Sequence, residues 1–434
     1  MIASPKVIFV NRFFHPDHSA TSQLLTDLAF DLAGAGQSVV VITSRLLYDD
    51  PTQRLPAHES VNGVQIRRVA TTGFGRSNLL GRLVDLASFY VSAFAALLGV
   101  AGRDDLVVAK TDPPLLSVVA AAAAALKGAR LVNWLQDVYP EVASALGVRA
   151  LAGPLGAILT GLRNASLHVA HTNVVLGERM ASHLRAAGAP PQRIAIASNW
   201  SDETQIVPVA QAANPLRAEW GLEGKYVVGY SGNLGRAHEY ETMLGAAREL
   251  RREPDVVFLV IGGGHHTRAL GLAAEAAGLS NIVFKPYQPF GALAASLSAA
   301  DIHWISLRPE LEGLIVPSKV YGILAAGRPV LAVTDPDGEI ARLVRTHGCG
   351  LHVAPGDAQA FAAAVRALAG DATRAAALGA AARAAAEGCF SRQTALARWR
   401  AILADAAPAR SASRAKPVFP RRSPGSALPP RERA

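Results

Sequence analysis

What most constrains the fold is a series of apolar runs too short to be helices. "KVIFVN" (6–11), "SVVVITS" (38–44), "DLVVAKT" (105–111), "ARLVNWLQD" (129–137) and "SLHVAHTNVV" (166–175) are apolar almost throughout and alternate with Ala- and Leu-rich, helix-compatible segments. A strand that is apolar on both faces must be covered on both faces, so the alternation predicts a parallel sheet with helical crossovers. The polar, proline-bearing segment "SNWSDETQIVPVAQAANPLRAEW" interrupts it and marks a linker near residues 198–215. A second series then runs "KYVVGYSG", "DVVFLVIGGG", "NIVFKPYQ", "DIHWISL", "RPVLAVTD" and "GLHVAP". The expectation is an α/β chain of two Rossmann-like doubly wound domains facing a central cleft, where the carboxyl ends of such sheets hold ligands. The expected boundaries are 1–200 and 201–390, with a helix over 391–404 returning to the first domain and a tail over 405–434.

At 434 residues and 50% apolar content the chain has ample mass for two cores. Its two thiols, Cys349 and Cys389, suit neither a disulfide scaffold nor a four-ligand metal site, so no structural metal is expected. The first residues lack the long apolar run of a signal peptide, which points to the cytosol. The net charge of +9 is uneven: residues 405–434 carry seven Lys or Arg against two acids, a net +5. Rich also in Pro, Ser and Ala, this tail reads as disordered, and it is either a solvated extension or a segment drawn to an anionic membrane surface. No nucleic-acid partner is expected. "LASFYVSAFAALLGVA" (86–101) is uncharged but too short to span a bilayer. It is either an internal helix or, with Arg76 and Arg82 beside it, part of an apolar helix over 79–101 lying at a membrane interface.

Three segments carry the chemistry. In "VVGYSGNLGRAHEYETML" (227–244), Gly229, Gly232 and Gly235 recur every third residue and Arg236 follows, where a helix is expected to begin. Glycine permits a close turn, a helix start offers free N–H groups, and Arg236 adds a fork of donors, so Gly232, Asn233, Leu234, Gly235 and Arg236 are candidates for holding a phosphate. It is neither a P-loop nor the dinucleotide fingerprint. A second glycine turn, "VIGGGHH" (260–266), places Gly264 at the same sheet edge; His265 and His266 lack the carboxylate or cysteine cluster of a metal site. In "RPELEGLIVPSKVYGILAAGRPVLAV" (308–333), Glu310 and Glu312 stand in a loop with Gly313, while Pro317, Ser318 and Lys319 mark a helix start. A carboxylate there can bind sugar hydroxyls, Ser318 a phosphate, and Lys319 can neutralise charge.

Together "YSGNLGRAHEYETML", "IGGG", "FKPYQP", "AADIHWISL", "GLIVPSKVYGILAAGRPVLAV" and "CGLHVAPGD" resemble the C-terminal half of retaining, nucleotide-sugar-dependent glycosyltransferases of GT-B fold. They look most like the family 4 enzymes that assemble bacterial exopolysaccharide, capsule and O-antigen. "FFHPDHSATSQLLTDLAFDLAGAGQSVVVIT", "TDPPLL" and "NWLQDVYPEVASALG" resemble the N-terminal half, so the likeness spans roughly residues 5–400. The resemblance implies that Arg236 contacts the donor diphosphate and that Lys285, Pro286, Tyr287 and Gln288 hold the nucleobase. Gly322 stands where the second glutamate of the family signature is expected, and Glu312 lies two residues upstream of the first, which leaves Glu310 as its alternative. His238 or Lys319 would supply the second cation of the clamp. Ser19 and Ala20 replace two glycines in the turn that approaches the diphosphate from the first domain, and Asp137 would orient or deprotonate the acceptor.

The expected activity is therefore transfer of a sugar from a UDP- or GDP-sugar to a polyprenyl-diphosphate-linked or glycan acceptor, retaining and without metal or other cofactor, in cell-surface polysaccharide or lipopolysaccharide synthesis. A 2-epimerase of the same fold and a non-catalytic binding protein at the membrane are the competing readings. An NAD enzyme is a poor fit, since neither half has the glycine fingerprint with its downstream acid.

Overall fold

The structure is a computed structural model that describes residues 5–48, 50, 52–75 and 79–408. The tail from 409 onward and Arg76 lie outside the described residues, so the readings placed on them go no further here. The first half comprises β1 (Val7–Val10), α1 (Ala20–Gly34), β2 (Val39–Ser44), β3 (His58–Val61), β4 (Val64–Val69), α2 (Leu79–Val100) and β5 (Leu106–Lys110). It continues with α3 (Leu116–Lys127), β6 (Arg130–Trp134), α4 (Glu141–Ala145), α5 (Pro154–Val169), β7 (Thr172–Val175), α6 (Glu178–Ala186) and β8 (Ile194–Ile196). The second half begins with α7 (Pro215–Glu219), β9 (Tyr226–Asn233), α8 (Glu241–Glu249), β10 (Val256–Gly263), α9 (Thr267–Ala276), β11 (Ile282–Lys285) and α10 (Leu293–Ser298). Then come β12 (Ile302–Ser306), α11 (Lys319–Ala325), β13 (Val330–Val333), α12 (Glu339–His347), β14 (Gly350–Val353), α13 (Ala358–Ala369), α14 (Ala372–Gly388) and α15 (Arg392–Ala406).

Each half carries one sheet. The first has eight strands in the order β3-β4-β2-β1-β5-β6-β7-β8, parallel except for the β3–β4 pair, and the second has six parallel strands in the order β11-β10-β9-β12-β13-β14. The two-residue period of a buried strand sorts side chains to opposite layers. Val7 and Phe9 of β1 pack with α1 and α15, while Ile8 and Val10 pack with α2 and α3. The strand order reverses at β1/β5 and at β9/β12, which is where such sheets leave a crevice.

Two elements depart from expectation. "SLHV" ends helix α5, and the strand starts only at Thr172, because the apolar run is shared between a helix face and a strand. The edge hairpin β3–β4 was not foreseen; its exposed strand "HESV" has no apolar run, and Asn62 and Gly63 turn it with positive φ. Helix α15 runs to Ala406 and lays Trp399, fully buried, on Trp134 of the first half, with ring centroids 4.3 Å apart.

Helix α2 is an internal helix of the first half on one face and carries exposed apolar residues on the other. Phe89, Ala93 and Leu97, at helical spacing, are fully buried against the first sheet. On the other side Leu80 and Val91 are each 71% exposed, with Leu83 and Val84 also open to solvent. The helix is long and apolar enough to cross a membrane, but one face belongs to the domain.

Candidate active site

The carboxyl ends of β1 and β6 look across a cleft of about 840 Å³ at those of β9, β10 and β12. Of the residues singled out from sequence, Ala20, Asp137, Gly232, Asn233, Tyr287, Gln288, Pro317, Ser318 and Lys319 line it.

Strand β9 pairs with β10 in register to its end, so Gly232 lies opposite Gly262 and Asn233 opposite Gly263. Gly264, at φ +129°, is forced: a Cβ there would meet Asn233 Oδ1 at 2.4 Å and the Leu234 backbone at 2.6 Å. No helix begins at Arg236. Residues 234–240 form a turn and α8 starts at Glu241, because the turn is tied sideways to β12 and the residues after it. Arg308 N–H donates to the Ala237 carbonyl at 3.0 Å, and Ser306 Oγ donates to the Glu239 carbonyl at 2.6 Å. Leu234 is fully buried and anchors the turn through its N–H to Gly263 O at 2.7 Å, so its side chain is core. Arg236, next to Gly235, is exposed outside the cleft lining and has no hydrogen-bond or ion-pair partner among the described residues.

Lys319, the first residue of α11, reaches back under this turn. Its Nζ donates to the Tyr230 hydroxyl, to His238 Nε2 at 3.1 Å and to the Asn233 carbonyl at 3.3 Å, and lies 4.1 Å from the Tyr230 ring centroid. All three acceptors are neutral. Among the described residues no carboxylate pairs with it, and burial brings its pKa down to about 7. His238 settles its own part in the clamp: its Nδ1 lies 2.6 Å from the Ser306 carbonyl, which can only accept, so the proton sits on Nδ1 and Nε2 is a bare acceptor. Burial and the adjacent Lys319 hold the imidazole pKa near 3, so His238 is not a cation.

Across the cleft, Asp137 follows β6 and forms an isolated bridge with Ile315, beside the Val138 N–H that donates to Leu314 O at 2.9 Å. The two halves therefore touch at the backbone of Asp137 and Val138. Burial first, and the nearby Asp112 second, raise the pKa of the Asp137 carboxylate to about 6, a value suited to exchanging a proton near neutrality. Ser19 precedes α1 without capping it, and the turn is instead held by buried Asp17, which accepts from Ser19 N–H at 2.8 Å and Tyr48 N–H at 2.6 Å.

The acidic loop is placed differently from expectation. Glu310 is exposed and ion-paired with Arg308, outside the cleft lining. Glu312 turns away from the cleft and accepts from the Glu339 N–H at 3.3 Å, at the start of α12, where a Cβ on Gly338 would strike it at 2.2 Å. Burial raises its pKa to about 7. Gly313, at φ +77°, passes within reach of the Arg179 carbonyl of the other half. Lys285 points to Trp220, 5.5 Å from its ring, and Pro286 is exposed outside the cleft lining, so of that segment Tyr287 and Gln288 alone face the cleft. Among the described residues no three His, Cys, Asp or Glu side chains converge as a metal would require.

Sequence reasoning passed over Tyr230 and Asp17. The only signal for Tyr230 was its alternation with Val228 on one face of β9, which also describes an ordinary core tyrosine.

Residues 214–385 match the profile of glycosyl transferases group 1, and residues 21–200 match that of the glycosyl transferase 4-like domain. The chain is thus built as a group 1 glycosyltransferase with a 4-like N-terminal half. It is 26% identical over 374 residues to the putative colanic acid biosynthesis glycosyl transferase WcaI of Escherichia coli (strain K12), covering 83% of this chain and 91% of that one. It is 29% identical over 264 residues to the probable glycosyltransferase WbjE of Pseudomonas aeruginosa, covering 60% of this chain and 65% of that one. Among solved structures, Anabaena HepE in complex with UDP and glucose superposes with a TM-score of 0.69 at 17% identity, over 92% of this chain and 99% of that one. The fold is GT-B, with the cleft between its halves.

Proposed function

We propose that this glycosyltransferase moves a sugar from a UDP- or GDP-sugar to a lipid-linked or glycan acceptor, with retention at the anomeric carbon, in the assembly of a surface polysaccharide. The observation that carries the reading is Lys319: a half-buried ammonium at the cleft wall, surrounded by neutral acceptors and with no counter-ion among the described residues, is a site for an anion. A nucleoside diphosphate supplies one. Arg236, exposed on the same turn and unpaired among the described residues, adds donors for the same phosphates. The UDP complex of HepE and the colanic-acid role named for WcaI support the substrate class.

In this reading the departing diphosphate gathers negative charge, and Lys319 and Arg236 stabilise it without a metal. Asp137 stands opposite, at the contact between the halves, where it can take or orient the acceptor hydroxyl. Gln288 and Tyr287 face the part of the cleft left for the base.

The acceptor end of the reaction belongs at the cytoplasmic membrane surface. Helix α3 packs between α2 and α5, and the only acid in these three helices is buried Asp85. Their exposed side is apolar, with Leu83, Val91, Leu126, Ile158 and Leu162, and it is flanked by Arg82 and Lys127. Such a face suits the interfacial region of an anionic bilayer. Val91→Glu should reduce sedimentation with anionic vesicles and leave UDP affinity unchanged; undiminished vesicle binding would remove this part of the proposal.

Turnover of a panel of UDP- and GDP-sugars, with and without a polyprenyl-linked glycan extract, tests the whole. Acceptor-dependent release of nucleoside diphosphate and an unchanged anomeric configuration in the product are expected. Epimerised donor with no acceptor present would replace this reading with the epimerase one.

A further inference from the structure

An ammonium has three protons, and in the cleft each has one acceptor: the Tyr230 hydroxyl, the Asn233 carbonyl and His238 Nε2. Two of these are occupied in other ways, since the Tyr230 hydroxyl itself donates to the Asn233 carbonyl at 2.9 Å. The third comes from an imidazole whose tautomer is fixed from outside the cleft by the β12 backbone. We infer that His238 is a positioning residue for the donor diphosphate: a neutral imidazole, locked by Ser306, whose Nε2 accepts from Lys319 and holds its ammonium beside Gly232 and Asn233.

The inference rests on the reading of Lys319 as a diphosphate-binding cation and adds what keeps that cation in place. A lysine side chain has four rotatable bonds and would otherwise be free to swing toward the open cleft. The longest of its three contacts, 3.3 Å to the Asn233 carbonyl, is the one a phosphate oxygen can replace while His238 and Tyr230 stay bound. The titratable groups around the pair are Tyr230 on β9, Tyr287 after β11, His266 before α9 and Glu239 on the turn itself. Glu239 faces Thr242, accepting from its hydroxyl at 2.6 Å, and forms no ion pair with Lys319. Each acceptor kept by Lys319 favours its protonated form, so loss of His238 Nε2 should move the titration of Lys319 to lower pH.

Two substitutions one methylene apart separate positioning from structure. His238→Asn can still donate to the Ser306 carbonyl in place of Nδ1 but cannot reach Lys319, whereas His238→Gln places an amide oxygen near the Nε2 position. The probes are UDP and GDP, with uridine as control, titrated calorimetrically between about pH 6 and pH 9. Wild-type diphosphate affinity should fall as pH rises through about 7. In His238→Asn the affinity should be weaker by about tenfold and the fall should begin at lower pH, with uridine affinity unchanged. His238→Gln should restore both affinity and midpoint. An Asn variant with wild-type affinity and midpoint overturns the positioning role alone, as do Asn and Gln variants impaired alike. Wild-type protein that binds neither diphosphate overturns the nucleotide-sugar reading, and the inference with it. Should the Asn variant melt too low to assay, the Gln variant decides: a wild-type midpoint supports the role and a shifted one overturns it.

Discussion

At the scale of single residues, the two cations proposed to hold the donor diphosphate stand in opposite surroundings. Arg236 is exposed and unpaired among the described residues, so Arg236→Ala should leave the melting temperature unchanged while weakening UDP binding about tenfold, measured by calorimetry. Lys319 is half-buried among neutral acceptors, and desolvation gives its charge a stability cost. Its folded-state pKa, about 7, lies below the ordinary lysine value of 10.5, so between these pH values the unfolded chain binds the extra proton. Stability from this group should therefore rise with pH over that window, and Lys319→Met should lack the rise; denaturant titrations at both ends of the window compare the two proteins. A carboxylate beside the lysine would reverse the logic, but it would also occupy the anion's place.

Elements set where those residues can go. Strands β9 and β10 end level with each other, and the two glycine turns nest so closely that the third glycine of "GGG" touches Asn233 and Leu234. Gly264→Ala combines a positive φ with a clash against backbone, so it should lower the melting temperature and displace the β9 turn, losing UDP affinity as well. A lowered melting temperature with unaltered UDP affinity would show that the turn does not shape the site. Helix α15 plays a simpler part. Trp399 fills the layer over Trp134, and Trp399→Ala should cost about 3–5 kcal/mol by urea denaturation.

For the whole molecule the deciding contacts are those between halves. Glu312 accepts from the first amide of α12, and Glu339, whose amide that is, extends its own carboxylate to the Arg179 N–H of α6 at 3.1 Å. Each carboxylate sits at the amino end of a helix, where unpaired N–H groups and the helix dipole favour it. The acidic loop thus contributes to a chain of caps that joins the two halves away from the cleft lining, along with the Asp137–Ile315 bridge. Glu339→Ala should weaken the contact between halves by about 1 kcal/mol and give a larger radius of gyration in solution scattering. An unchanged radius would show that the bridge near Asp137 is sufficient.

Much of this was legible in the chain order of residues. Runs such as "VVVITS" and "VVFLVIGGG" can only be doubly covered strands, and glycines at their ends can only be turns, because both follow from local backbone preference and burial. Two sheets, their central strands and the placing of Gly232, Asn233, Ser318 and Lys319 near one cleft were read that way, whereas the edge strands β3, β4 and β8, which lack such runs, were not. Tertiary structure alone decided what each charge does. His238 became a neutral acceptor and Lys319 a cation without a counter-ion because of burial and a carbonyl on β12, 68 residues from His238. Glu312 went to a helix end instead of the cleft because that end offered it an amide. Protonation and side-chain direction depend on desolvation and on neighbours distant in sequence, and neither is encoded in a residue's own position along the chain.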